Sequence, residues 1–207
     1  MILDTLYNFH WIEAGKAARS SQAYAGCLGA FLRAHGIRAL INLRGRNPGH
    51  LWWRHETRVC ASQDIVHRDA KLNSRQLPTP AMLADLLGAF DATPRPLLLK
   101  CSGGQDRASF ASALYVLHAQ GWQAFGRAER QFARWPYLHW PTRQQRWLRL
   151  FLDFARERAA ERPIRNWIEN GYSAHDFRFW LEERGEGRSF HGLYDVPGSV
   201  VGRSSRG

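Results

Sequence analysis

Residues 96–109 read PLLLKCSGGQDRAS, and the fold follows from how this stretch is parsed. The apolar run 96–100 has the length and residue types of a buried strand. Residues 108–119, ASFASALYVLHA, form an equally apolar run of helix length. Between them lies a glycine-containing loop. A strand ending at Cys101 and a helix opened by Arg107 leave five residues to turn the chain. That turn brings the amides of residues 102–107 inward as an anion cradle at a helix N-terminus. Gly103 and Gly104 let the backbone approach an anion without a Cβ in the way. The positive end of the helix and the Arg107 guanidinium favour the thiolate form of Cys101. A thiolate inside a ring of donors sized for a phosphoryl group is a nucleophile aimed at phosphorus. Arg107 is placed to hold two of the equatorial oxygens as charge spreads over them.

Outward from this loop, strands and helices alternate. Residues 11–18 read as a first strand and 19–22 as a turn. Residues 24–35 form a helical pattern through Leu28, Phe31 and Leu32, with Gly36 at its C-cap. Strand 37–43, helix 51–62, strand 65–69 and helix 78–90, with proline in its first turn, follow. This order predicts an α/β fold with a mainly parallel central sheet flanked by helices. Ligands of such sheets bind beyond the carboxyl ends of the strands. Beyond Gly121 only helical patterns remain, over 142–162, 164–170 and 174–184. Trp147, Leu148, Phe151, Phe154 and Ala155 make one apolar stripe there, read as core. The expected organisation is a single domain over 1–184, with an α/β core over 1–120 and a C-terminal helical segment over 121–184. A flexible tail is expected over 185–207.

The chain has 207 residues, 44% of them hydrophobic and 23% charged, which excludes a disordered chain. No apolar stretch approaches the roughly 18 residues of a membrane span. The first twenty residues lack the regions of a signal peptide. Cys27, Cys60 and Cys101 make no disulfide framework, so a reducing cytoplasm is expected. The net charge of +11 is carried almost wholly by arginine, the lysines being Lys16, Lys71 and Lys100. Guanidinium forks suit phosphate-bearing partners: a phosphorylated protein, a small phosphorylated ligand or, peripherally, an anionic lipid. No nucleic-acid motif is present. His50, His55 and Cys60 are spaced so that they scatter around a helix, and no metal set or cofactor site is read.

The loop Cys101-Ser-Gly-Gly-Gln-Asp-Arg107 resembles the phosphate-binding loop of the cysteine-based protein tyrosine and dual-specificity phosphatases. Asn8-Phe9-His10, Arg19-Ser20-Ser21-Gln22 and the stretch from Gly36 to Arg44 resemble the first half of the small bacterial and fungal members, so that the likeness covers residues 8–120. It implies a phosphatase fold, a phosphocysteine intermediate, no metal, and an aspartic acid that protonates the leaving oxygen. Lys100 stands where most members have histidine, and Ala108 where a hydroxyl residue is usual; Ser109 or Ser102 is placed to substitute. Two aspartates compete for the acid. Asp106 matches the lipid-phosphatase form of the loop, and Asp69 has the spacing of the dual-specificity acid. The implied anion site comprises Lys100, Ser102, Gly103, Gly104, Gln105 and Ser109. Arg44 and Arg75 are candidate secondary anion contacts, and Trp52-Trp53-Arg54 with Arg46 and His50 is either a substrate rim or the plain start of an amphipathic helix. A protein tyrosine or dual-specificity phosphatase is the first reading. An inositol phosphate or phospholipid phosphatase, or a weakly active phosphate-binding relative, is the alternative.

Overall fold

A computed structural model describes residues 2–24 and 26–194. Five four-residue strands make one sheet: β1 His10–Glu13, β2 Ala17–Ser20, β3 Ala39–Asn42, β4 Val66–Asp69 and β5 Leu97–Lys100. Their order is β1-β2-β5-β3-β4, with β1 antiparallel at one edge and the other four parallel. The α/β architecture and the mainly parallel sheet are therefore as the alternation predicts. Register aligns Ser20, Lys100, Asn42 and Asp69 side by side across the carboxyl edge. In β5 and β3, three buried apolar residues precede that row. Burial thus fixes the strands, and polar chemistry begins where they end.

The expected strand over 11–18 is in fact a hairpin. Gly15 at φ +68° and the bond from Lys16 N to Glu13 O turn the chain between β1 and β2. Arg19 and Ser20, read as turn, extend β2. A local pattern has no means of showing that an arginine is buried with partners far along the chain.

Helices cover both faces. They are α1 Ile2–Leu6, α2 Leu28–Ala34, α3 Leu51–Ser62, α4 Pro80–Ala92 and α5 Asp106–Gln120. Next come α6 Phe125–Arg130, α7 Trp147–Ala159, α8 Ile164–Asn170 and α9 Ala174–Glu183. The bounds of α3 and α8 match the predicted ones. Helix α4 starts two residues later than predicted because Thr79, not Pro78, caps it, its Oγ1 accepting from Met82 N at 3.2 Å with Pro80 at N1. Helices α1 and α6 are too short to leave a periodic signal.

Strand side chains alternate between two apolar layers. Leu98, Ala18 and Leu40 pack with α2 and α3, while Leu97, Leu99, Ala39 and Ile41 pack with α4 through α9. The C-terminal helices share this second layer. Phe151 of α7 meets Phe110 of α5 edge-on at 5.2 Å and is ringed by Trp167, Tyr172 and Phe177. Of the segment expected as a tail, His191 N bonds Arg75 O and Leu77 exchanges bonds with Gly192 and Tyr194. Residues 195–207 of that tail lie outside the described residues.

Because Phe151 is fully buried among these rings, Phe151→Ala is expected to cost about 3–5 kcal/mol. Denaturant unfolding checks this, and the α/β core and the helices should lose structure in one transition.

Candidate active site

Cys101 follows β5 directly and is 2% exposed. Its amide bonds Ser20 O at 3.4 Å. The loop it opens is defined by where its carbonyls go. Ser102 O accepts from Gln22 N at 3.1 Å. Gly104 O accepts from Asn8 Nδ2 at 3.1 Å and from Arg19 Nη2 at 3.0 Å, and Gln105 O accepts from Arg19 Nη2 at 3.2 Å. The amides of residues 102–105 take no protein acceptor among the described residues. They are left at the start of α5 as donors for an anion. Gly104 sits at φ +64°, and a Cβ there would lie 2.5 Å from Ser21 N and 2.7 Å from the Ser20 carbonyl carbon. Arg107 Nη2 donates to Ser102 Oγ at 3.0 Å and so closes the loop from its far end.

Arg19, the main brace, has no exposed surface. It also donates to Ser109 Oγ at 2.7 Å and to Gln131 O at 2.8 Å, and lies over the Tyr137 ring at 4.5 Å. Burial pulls its pKa down to about 10, so it remains cationic at neutral pH. Lys100 points to the other side of β5. Its Nζ meets Glu56 Oε2 at 2.6 Å and Gln22 Oε1 at 2.7 Å, above the Trp52 ring. Glu56, also fully buried, takes Gln22 Nε2 and His67 Nε2 as well. Burial lowers Lys100 to about 8, against the pull of Glu56. Burial also opposes the charge on Glu56, but His67, Lys100 and Gln22 together hold its pKa below the ordinary carboxylate value. The result is a buried ion pair that ties β5, α3 and the segment after β2 together just below the cysteine.

The two aspartates sit in different places. Asp106 is the first residue of α5. Its Oδ2 accepts from Gln145 Nε2 at 2.8 Å, and its Oδ1 lies 3.5 Å from His139 Nδ1. Burial raises its pKa above the usual carboxylate value, against the lowering effects of Arg107, its own amide, Gln145 and Arg75. Burial and Arg19 push His139 down to about 4, so the imidazole is neutral and the contact with Asp106 is not an ion pair. Asp69 ends the edge strand β4, two strands from β5. Its carboxylate is taken by Asn42 Nδ2 at 2.6 Å and by Trp53 Nε1 at 3.1 Å to each oxygen.

No protein-family model matches the chain, and no curated protein does. Solved structures do match. TpbA of P. aeruginosa superposes with a TM-score of 0.56 at 14% identity, over 86% of this chain and 93% of that one. Tk-PTP in a mutant form gives 0.54 at 14% identity, over 72% and 96%. The core catalytic domain of the PP-IP phosphatase Siw14 from S. cerevisiae gives 0.50 at 14% identity, over 86% and 93%. This is the fold of the cysteine-based phosphatases.

In that fold, the structure brings Cys101, Ser102, Gly103, Gly104, Gln105, Asp106 and Arg107 together around the first turn of α5. Ser109 is fully buried beneath the loop, on Arg19. Arg75 is exposed yet close enough to act on Asp106. Arg44 stacks on the Trp52 ring at 3.5 Å and reaches Gln22 Oε1 at 3.5 Å. Of the candidate rim, Trp52 lines a cleft of about 650 Å³ with Gln22, Tyr24, His50 and His55, while Trp53 is committed to Asp69. Among the described residues no cluster of His, Cys, Asp and Glu could hold a metal. No disulfide forms among the described residues. Sequence reasoning gave no roles to Asn8, Arg19 and Gln22, although all three fall in the segments that resemble the phosphatases. It had no signal for His139 or Gln145, which reach the site from beyond residue 121.

Replacing Gly104 by alanine is expected to cost about 1–3 kcal/mol, because the residue would be strained and would press on the β2 backbone. Vanadate affinity should fall with it. Unfolding and vanadate titration of the variant check both.

Proposed function

We propose that this chain is a cysteine-dependent phosphomonoester phosphatase working through a phosphocysteine intermediate. The observation that supports it most is the buried Cys101 thiol at the start of a loop whose carbonyls at 102, 104 and 105 are bonded outward, leaving the amides for the phosphoryl oxygens. Arg107 takes two further oxygens as it leaves Ser102 Oγ. The Cys101 thiolate attacks phosphorus in line with the ester oxygen. As the P–O bond breaks, Asp106, kept protonated longer by burial, gives its proton to the departing oxygen. Water then attacks the phosphocysteine. The Asp106 carboxylate takes the proton from that water, and the P–S bond breaks to restore the thiolate. Asp69 is spent on Asn42 and Trp53, which favours Asp106 as the acid. With Ala108 lacking a hydroxyl, Ser109 is the hydroxyl assigned to the departing thiolate: its Oγ accepts from Arg19 and keeps its own proton to donate.

Tyrosine phosphate on protein is the first substrate reading, since TpbA has been solved in complex with pTyr. Inositol or lipid phosphate is the second, supported by Asp106 within the loop and by the likeness to the PP-IP phosphatase Siw14.

Vanadate-sensitive hydrolysis of an aryl phosphate should disappear in Cys101→Ser. Asp106→Asn should lose about 10²–10⁴-fold on an alkyl phosphate and far less on the activated aryl ester. No turnover by the wild type under reducing conditions across a broad pH range would overturn the proposal.

The acid also gives a pH signature. Gln145 donates to the Asp106 carboxylate and so favours its charged form. In Gln145→Leu the carboxyl should hold its proton to higher pH, moving the basic limb of the alkyl phosphate profile upward. The basic limb should not move in Asp69→Asn.

A further inference from the structure

The segment between α6 and α7 sorts its side chains by side. Tyr137 and His139 turn inward: Tyr137 lies under the Arg19 guanidinium with its carbonyl on Asn8, and His139 is buried against Asp106. Trp135, Leu138 and Trp140 turn outward, and the two tryptophans are 80% and 63% exposed. Beside them stands α1, whose Ile2 and Leu6, one helical turn apart, are 89% and 64% exposed. A shallow groove joins the two, lined by Asp4 and Thr5 on one side and by Trp135, Pro136 and Leu138 on the other. Single exposed apolar residues are ordinary, but here five are carried by two segments that share one groove, a concentration that favours a partner.

Arginine outnumbers carboxylate around this patch, where Asp4 is the acidic residue lining the groove. Arg127 and Arg130 line the next hollow with Trp135 and Pro136. Arg134 lies over the Trp140 ring at 4.5 Å. Arg130, Arg134 and Arg143 form no ion pair among the described residues. The neighbouring carboxylates are engaged elsewhere, Asp4 with His35 and Glu129 with Arg149. Tryptophan rings suit the boundary between headgroups and acyl chains, and unpaired guanidinium groups suit anionic headgroups. A peptide groove would instead show deep walls and matched donors and acceptors; here the tryptophans stand largely exposed beside arginine.

We propose that the face built from α1 and residues 134–143 docks the protein on an anionic lipid bilayer. The inner side of the same segment touches Asp106 and braces the phosphate-binding loop, so docking would set the mouth of the site at the headgroup level. Phosphomonoesters carried by lipids would then be within reach. Docking itself does not depend on the catalytic reading.

Sedimentation with phosphatidylcholine vesicles, with and without phosphatidylglycerol, tests this directly. The full chain should bind only the anionic vesicles, and added salt should weaken binding. The double variant Trp135→Ser, Trp140→Ser should bind about ten-fold or more weakly. Each of Arg130→Gln, Arg134→Gln and Arg143→Gln should lose about five-fold. Hydrolysis of a soluble aryl phosphate should stay at the wild-type level in all of them. Thermal unfolding provides an independent check of their folding, so that vesicle binding can be read even if the chain proves to have no turnover. Wild type that ignores anionic vesicles, or a double variant that binds them as wild type does, would overturn the proposal. So would a dimer, in the absence of lipid, that the double variant abolishes, because the face would then belong to a second copy of the chain.

Discussion

The fully buried guanidinium of Arg19 is the interaction on which the geometry of the site rests. A loop that turns its amides toward one point must turn carbonyls away from it, and buried carbonyls need donors. Arg19 meets that requirement from beneath, bonding Gly104 O, Gln105 O and Ser109 Oγ with one edge of its fork and Gln131 O with the other. Asn8 and the Gln22 amide take the rest. The cost of burying a cation is offset by this set of acceptors and by the Tyr137 face. Because Arg19 belongs to β2 and its partners come from the loop, α5 and the α6–α7 segment, the same contacts that shape the loop also hold these parts of the fold in register.

A second buried cation works on the opposite side of the cysteine strand. Lys100 stands where phosphatases resembling this chain usually place histidine, and Glu56 and Gln22 neutralise and fix it. Removing one member of such a pair leaves an uncompensated charge in the interior, which is far more costly than replacing both with apolar residues. Gln22 links the two systems: its side chain belongs to the Lys100 pair, and its backbone amide holds the loop through Ser102 O. The position of the thiol is thus set from below by Arg19 and from the flank by Lys100.

What was legible in the sequence is what local pattern encodes. The strand before Cys101, the bounds of α3 and α8 and the parallel sheet all follow from apolar runs and their punctuation. The loop from Cys101 to Arg107 is chemically explicit, so its reading needed no tertiary contact. The parts that escaped depend on distance along the chain. Arg19 looks like a turn residue because its partners lie at 104, 105, 109 and 131. Gln145 and His139 surround Asp106 only after α6 and the following segment fold back over α5. The two candidate acids could not be separated by spacing alone. The structure adds that Asp69 is held by Trp53 and Asn42 while Asp106 is half-buried beside a neutral histidine, which is why the proposed mechanism uses Asp106.

The central claim is that the Cys101 sulfur carries the phosphoryl group during turnover. Rapid acid quench during hydrolysis of an aryl phosphate, followed by mass analysis of the peptide containing Cys101, tests it most directly. The account predicts one added phosphoryl group on that peptide, seen during turnover and absent both from Cys101→Ser and after substrate is exhausted. Sustained turnover with the phosphoryl group on another residue, or with no covalent intermediate and full activity in Cys101→Ser, would contradict it.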